Sequence, residues 1–388
     1  MPNPPDVPHP PHLLDASMFW TATGGGVRRY VEAKHAFAKQ QHWRHSVATP
    51  VLDGIARVKI PAWPLPGTGG YRLPLRRGAA ARVLAAQAPD LIESGDPYRL
   101  AWSVLDAAQA RGIPAVAFCH SNLELLAASW SGPRSRAVRV ARSYARHLYS
   151  EFDLVLAPSL AMCAHLRDWG IADAVCQPLG VDSALFHPCR RRPAWRRELG
   201  LGADVRLLVY AGRFAPEKNL QVLSDAVALL GAPYWLVAVG AGPTPPHGDR
   251  VTVLPPQREP AALATVLASA DAFVHAGDQE TFGLSVLEAM ACGTPVVIRA
   301  AEGLAELVEA EAGIGVPRTR AADFAEAIAA VFACHRRERF MHAARARGES
   351  GDWQRVLPAL WRRYDRLLQR VAPTAEPAPD MPGIAGAR

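Results

Sequence analysis

Short, nearly uninterrupted apolar runs recur along the chain, separated by longer stretches in which apolar residues return every three or four positions. The runs are HSVATP (45–50), DLIES (90–94), PAVAFCH (114–120) and DLVLAPS (153–159), followed by RLLVYAG (206–212), YWLVAVG (234–240), VTVLPP (251–256), AFVHAG (272–277) and TPVVIRA (294–300). A strand covered on one face alternates apolar and polar residues, whereas continuous runs predict parallel strands buried on both faces. The intervening segments, such as 219–230 and 260–269, predict helices. The chain therefore reads as repeated strand–helix units of a doubly wound α/β design. The repetition occurs twice, and QPLGVDSALFHPCRRRPAW (177–195), with its Pro, Gly and charge, reads as the linker between the two sets. WQRVLPALWRRYDRLLQRV (353–371) predicts an amphipathic helix, and the Pro- and Ala-rich tail after it predicts disorder. The expected organisation is a Rossmann-like domain at 1–182, a second at 183–352, the helix at 353–371 and a disordered tail at 372–388. Two such domains facing a central cleft bind ligands at the C-terminal ends of their strands.

Composition narrows the picture. No run of about 20 apolar residues predicts a membrane-spanning helix. The Pro-rich start, MPNPPDVPHPPH, lacks the basic-then-apolar pattern of a secretory leader, so a cytoplasmic protein is expected. The 6 cysteines are scattered without a C-x-x-C, which suits reduced thiols and gives no zinc spacing. The net charge of +7 is nearly all arginine, and an excess of that kind can serve nucleic acid, an anionic membrane surface or a phosphorylated substrate. The arginine clusters at 71–82, 132–149 and 190–197 are not interleaved with exposed aromatics as a nucleic-acid platform would be, which argues against nucleic acid. An arginine-rich composition alone also raises the isoelectric point. The basic helix pattern within 132–149 fits either an anionic lipid surface or a solvated helix face. GAGPTP (240–245) lacks the third glycine of a dinucleotide-binding loop, so a nicotinamide cofactor is not expected.

The chemistry concentrates in DQETFGLSVLEAMACG (278–293). A helix is predicted to start between Thr281 and Leu284 and to stop at Gly293. Its N-terminus presents free N–H groups and the positive end of the helix dipole, a ready phosphate site. Glu280 precedes that start, and Glu288 lies about one turn inside the helix. The order acid, phosphate site, acid matches the order hexose diol, diphosphate, ribose diol of a nucleotide sugar. A carboxylate can accept hydrogen bonds from both hydroxyls of a vicinal diol. Two solvated helix-start acids would produce the same pattern. The decision comes from YAGRFAPEKNL (210–220), which follows a buried strand and carries Arg213 and Lys218 on a strand-to-helix loop. A basic pair there can hold a diphosphate and stabilise a leaving group.

Taken in order, these motifs resemble those of retaining glycosyltransferase family 4, which has the two-domain GT-B fold. Glu280 to Glu288 resembles its E-x7-E element, GRFAPEKN its diphosphate loop, and TGGGVRRYVEA (23–33) its N-terminal glycine loop. PLGVDSALFHP resembles its linker, and DWQRV (352–356) the start of a terminal helix that crosses back to the first domain. The similarity spans about residues 15–368.

The resemblance implies an enzyme that moves a hexose from a nucleoside-diphosphate sugar to a hydroxyl acceptor with retention. It implies that Glu288 holds the ribose, that Glu280 holds the transferred sugar, and that the backbone of Phe282, Gly283 and Leu284 faces sugar and phosphates. Arg213 and Lys218 would grip the diphosphate, Gly25 and Gly26 would approach it from the first domain, and His120 would contact the sugar near the reacting carbon. Trp20, Asp96 and Tyr98, at strand ends of the first domain, are the acceptor-side candidates. The chain contains no D-x-D, so no metal or other cofactor is expected and the donor is itself a substrate. The acceptor class is open between a glycolipid or cell-envelope precursor, with peripheral membrane contact, and a small molecule. An epimerase or phosphorylase on the same fold, or a silent donor-binding subunit, are the rival readings.

Overall fold

The protein is described by a computed structural model that covers residues 9–20, 25–64, 72–74, 76–308, 311–333 and 336–371. The expected disordered tail, most of the Pro-rich start and Gly24 of the glycine run lie outside the described residues.

Two parallel sheets form, one in each half of the chain. The first has seven strands in the spatial order Val58–Lys59, Arg44–Thr49, His12–Ala16, Leu91–Ser94, Ala115–Phe118, Leu154–Ala157, Val175–Cys176. The second has six, in the order Val251–Leu254, Tyr234–Val239, Arg206–Ala211, Ala272–His275, Val296–Arg299, Ile314–Val316. Every pairing within the two sheets is parallel. In each sheet the strand order reverses beside the first strand, which makes that edge the topological switch point. The central strands are buried along their whole length, as their unbroken apolar composition predicts.

Each sheet contains strands that the apolar pattern does not announce. His12–Ala16, sequence HLLDA, carries His and Asp at buried positions. Val58–Lys59 and Val175–Cys176 have two residues each. A small antiparallel ribbon, Ala62–Pro64 with Arg72–Pro74, forms a separate two-stranded sheet.

The polar residues of the first strand belong to a buried ionic network. Lys34, fully buried on the helix Gly26–Gln40, donates to Asp15 at 2.7 Å and to Glu93 at 2.8 Å. His45 Nε2 lies 2.8 Å from the other oxygen of Asp15, and Tyr30 donates to Glu93 at 3.1 Å. The terminal helix Trp353–Val371 closes the network, because the Tyr364 hydroxyl donates to the free oxygen of Glu93. Trp361, one turn earlier, packs against Phe37 (ring centroids 4.8 Å apart) and Trp43 (5.8 Å). The helix starting at Trp353 therefore follows the second sheet in sequence but rests on the first domain.

The two crossings between halves lie side by side. Val181 bridges to Asp352, and the Asp352 carboxylate accepts the Ser183 N–H (3.0 Å) and hydroxyl (2.6 Å). Among the described residues no helix is long and apolar enough to cross a membrane.

Candidate functional site

The two switch points face each other across a cleft. On the second domain, the strand Arg206–Ala211 runs into Gly212 and Arg213, and a 3-10 turn, Pro216–Lys218, leads into the helix Leu220–Leu230. Beside it, Ala272–His275 runs into Gly277–Glu280 and then the helix Leu284–Ala291. Gly283 caps that helix at φ 95, and a Cβ there would sit 2.3 Å from Leu304 Cδ2. The positive φ favours glycine, and a Cβ would also have to push aside the buried Leu304 side chain. This is the helix start expected from the sequence.

Glu280 is held by two donors on one oxygen. Lys218 Nζ lies 2.6 Å and His275 Nε2 3.1 Å from its Oε1. His275 is 1% exposed, and its Nδ1 accepts the Gly277 N–H at 3.2 Å. The proton therefore sits on Nε2 and points at Glu280. Burial pushes the Glu280 carboxyl up, but the Lys218 ammonium and His275 reverse that and hold it well below the usual carboxylate range. Arg213 does not join Lys218: it is 67% exposed and pairs with Glu217 at 2.7 Å. The two members of the expected basic pair thus differ, one buried against Glu280 and one exposed and paired with Glu217.

Glu288 is 1% exposed. One of its oxygens accepts from the Arg29 guanidinium, which reaches across from the first domain. Its Oε2 is buried with no partner among the described residues. A buried carboxylate oxygen without a donor is costly, and its chemistry suits a ligand hydroxyl.

The first domain supplies the facing wall. Gly25 has φ 136 with open space around a notional Cβ, whereas at Gly26 a Cβ would come 3.0 Å from Leu284 Cδ1 of the other domain. The glycine loop thus abuts the start of the helix Leu284–Ala291. His120 follows the strand Ala115–Phe118, stacks on Phe118 at 4.3 Å and meets the edge of Tyr30 at 5.4 Å. Its carbonyl accepts the Thr281 hydroxyl at 3.1 Å, so it lies against the Glu280 segment. Its Nε2 is shielded and has no partner among the described residues. Burial, with the Lys34 charge adding to it, pushes the imidazole down to about 3 and keeps it neutral.

The acceptor-side candidates sit deeper than a surface contact. Trp20 is buried beneath the Arg28 guanidinium, 4.9 Å from its ring. Asp96 accepts the N–H of Met18 (2.9 Å) and of Tyr98 (3.2 Å), tying together the two loops at the first domain's switch point, and burial raises its carboxyl to about 6. Tyr98 is partly exposed and meets Phe19 edge-on at 5.9 Å.

Sequence reasoning missed Arg29 and His275. The first stood within the glycine-loop motif as one of two adjacent arginines. The second stood at the end of a strand, five residues before Glu280, where a histidine reaches the loop that follows. Among the described residues no group of three or more His, Cys, Asp or Glu side chains is arranged to hold a metal ion.

Comparison with known proteins agrees with this geometry. Residues 23–185 match the family model described as Glycosyltransferase Family 4, and residues 191–347 match Glycosyl transferases group 1. A GDP-mannose-dependent alpha-(1-6)-phosphatidylinositol dimannoside mannosyltransferase from Mycobacterium tuberculosis is 32% identical over 326 residues, covering 82% of this chain and 83% of the relative. A GDP-mannose-dependent alpha-mannosyltransferase from Mycolicibacterium smegmatis is 35% identical over 271 residues, covering 67% and 69%. Among solved structures, sucrose-phosphate synthase from Thermosynechococcus elongatus aligns with a TM-score of 0.74 at 21% identity, over 93% of this chain and 100% of that one. Anabaena HepE in complex with UDP and glucose aligns with a TM-score of 0.73 at 19% identity, over 91% and 99%. Two doubly wound domains, an acid on each side of a phosphate-ready helix start and this similarity together establish that the chain is a glycosyltransferase of the GT-B fold and belongs to glycosyltransferase family 4.

Proposed function

We propose that the chain transfers mannose from GDP-mannose to a hydroxyl of a lipid-linked acceptor, retaining the anomeric configuration and needing no metal. The observation that carries the donor side is the pair of carboxylates around the Leu284–Ala291 helix start. Glu288 offers a buried oxygen, unpartnered among the described residues, that suits a ribose hydroxyl, and Glu280 is kept anionic by Lys218 and His275. Between them the helix N-terminus suits a diphosphate. Lys218 and the exposed Arg213 supply the charge that a metal would otherwise bring. His120, neutral and with an Nε2 that has no partner among the described residues, suits a hydrogen bond to the sugar near the reacting carbon. The departing phosphate oxygen takes the acceptor proton, so no enzyme nucleophile is required. Guanine and mannose are favoured because both mannosyltransferase relatives named above are GDP-mannose-dependent.

The acceptor reading rests on two supports. One of those relatives acts on a phosphatidylinositol dimannoside. The helix Arg136–Tyr149 of the first domain also exposes Arg136, Arg139 and Arg146, together with Val140, which is 66% exposed and lies one turn from Arg136, while Arg142 is paired with Glu124. A basic helix with an exposed apolar residue suits the surface of an anionic bilayer. Tyr98 is the acceptor-side residue with exposed surface, while Trp20 and Asp96 shape the floor beneath it.

The test is transfer of labelled mannose to a mannosylated phosphatidylinositol in anionic vesicles, in excess EDTA, with GDP-, UDP- and ADP-sugars compared. Turnover with GDP-mannose to give an α-linked product is expected. Turnover with UDP- or ADP-sugars alone would overturn the donor assignment. A β-linked product would overturn retention, and activity restored only by added magnesium or manganese would overturn metal independence.

A further inference from the structure

The second domain has another concave surface at the opposite ends of its strands. A cavity of about 590 Å³ opens there, where Arg206 begins its strand and Asp271 precedes the next. The strand Arg206–Ala211 separates this cavity from the donor loops, a span of roughly 20 Å at ~3.3 Å per residue. Six guanidiniums line it, those of Arg191, Arg192, Arg196, Arg197, Arg206 and Arg337. Its lining carboxylates are Asp204 and Asp271. Glu198, beside the rim, takes up Arg192.

The balance of charge at the centre is incomplete. Asp271 is buried and its two oxygens are fully used. Oδ1 accepts from Arg191 at 3.2 Å and from Arg337 at 2.8 Å, and Oδ2 accepts from Arg196 at 2.6 Å and from the Leu207 N–H at 2.9 Å. Three guanidiniums thus converge on one negative charge. The Nε of Arg337 is buried without a partner among the described residues. Burial lowers the Arg337 pKa, and repulsion from Arg191 and Arg196 lowers it further against the pull of Asp271. Arg197 is exposed and has no carboxylate partner among the described residues. Arg196 and the Leu207 N–H serve Oδ2, and Arg191 and Arg337 serve Oδ1, so satisfying both oxygens leaves three positive charges around one negative charge. An added anion inside the cavity relieves the repulsion and gives Arg337 and Arg197 acceptors.

The location gives such an anion something to act on. Arg191, Arg192, Arg196 and Arg197 stand on the segment that enters the second domain, around the helix Pro193–Glu198. Arg337 stands on the helix Arg336–Ser350, which leads out to the Gly351–Asp352 crossing. A ligand held by both sets bridges the incoming and outgoing connections between the domains.

We propose that this cavity is a binding site for a small anion bearing one or more phosphate groups, separate from the donor site, and that its occupation clamps the two interdomain connections onto the second sheet. The proposal does not depend on which sugar nucleotide the cleft takes. Pyrophosphate is the probe, titrated by calorimetry at constant ionic strength against a chloride blank. Proteins compared are the wild type, Lys218→Ala to weaken the diphosphate loop, Arg191→Gln/Arg337→Gln, and Arg192→Gln/Arg197→Gln. The last pair changes only exposed residues that do not touch Asp271, so it reports on the site even where the first pair disturbs folding. Pyrophosphate binding is expected to survive Lys218→Ala and to weaken at least tenfold in each cluster double variant. Vesicles of phosphatidylglycerol form a second arm: capture that depends on the same arginines, without pyrophosphate binding, assigns the site to a lipid phosphate instead of a free one. Binding lost in Lys218→Ala and unchanged in both cluster variants overturns the proposal, as does a heat signal that chloride reproduces.

Discussion

His275→Ala removes one of the two donors on Glu280 and leaves the other, Lys218, in place. The lost hydrogen bond is a buried N–H to a carboxylate at 3.1 Å, and bonds to a charged acceptor are worth about 1.5–3 kcal/mol. In the donor placement proposed above, the transferred sugar gains positive charge beside Glu280 as its bond to phosphate breaks, so an aimed and ionised Glu280 would favour the transition state over the ground state. The loss should therefore fall on kcat, by roughly 10- to 100-fold at 1.4 kcal/mol per tenfold, with little change in donor KM. His275→Gln places an amide N–H close to the position of Nε2 and should recover activity to within about threefold of wild type.

The same contact sets a pH dependence. Glu280 sits well below the usual carboxylate range because Lys218 and His275 outweigh the effect of burial. Its stabilising contribution is present above the unfolded value near 4.3 and is lost as pH falls through the lower folded value. Removing His275 moves the folded value upward, so the pH at which acid destabilises the fold rises in His275→Ala and returns in His275→Gln. Initial rates at pH 7 and denaturant unfolding from pH 2 to 7 measure the two effects. An alanine variant within threefold of wild type in kcat with an unmoved acid unfolding limb would refute the reasoning. Equal losses in the alanine and glutamine variants would also refute it, by pointing to ring packing against Tyr210, 5.5 Å away.

Glu288→Gln should mainly raise donor KM and weaken binding of free GDP, whereas Glu280→Gln should mainly lower kcat; equal weakening of GDP binding by both would mean the donor lies the other way round. Gly283→Ala forces a side chain into φ 95 and onto Leu304 and should cost about 2–5 kcal/mol in denaturant unfolding; a loss under 1 kcal/mol would show that the helix start can shift. Lys34→Met strands two buried carboxylates and should cost about 3–5 kcal/mol at pH 7. Asp15 is held down to about 2, burial raising it and Lys34 and His45 lowering it more. The difference between Lys34→Met and wild type should therefore shrink as pH falls below about 4, and a pH-independent difference would contradict the network.

Periodicity carried most of the fold because parallel strands covered on both faces must be continuously apolar, and Arg206–Ala211 or Ala115–Phe118 can hardly be anything else. It missed His12–Ala16 for an equally physical reason. That strand pairs its Asp15 with Lys34, a residue 19 positions away on a helix, and a polar residue satisfied by a distant partner looks like a loop residue in one dimension. The terminal helix was legible at both ends, but its reason for crossing back, the meeting of Tyr364 with Glu93, joins positions 271 apart. The site divides in the same way. Glu280, Glu288 and Lys218 sit on local motifs whose spacing has chemical meaning. The Arg29 contact with Glu288 spans 259 positions, and the split of Arg213 from Lys218 depends on a neighbouring Glu217, so neither is visible without the folded chain.

One set of the contacts that join the domains is made by the groups proposed to hold the donor. Glu288 takes Arg29, Thr281 takes the His120 carbonyl, and Gly26 lies against Leu284. A ribose that uses both oxygens of Glu288 must share one with Arg29 or displace it. Arg29 is then released beside the diphosphate end of the same helix start, where a guanidinium has a new anionic partner. Other interdomain contacts are independent of these groups: Glu306 accepts the N–H of Leu160 (3.1 Å) and Ala161 (2.9 Å), and Glu302 meets His165 at 2.8 Å. These pairs can keep the domains together while Arg29 changes partner. Closure and donor capture therefore need not compete, because the contacts that hold the domains and the contact that the donor exchanges are made by different residues.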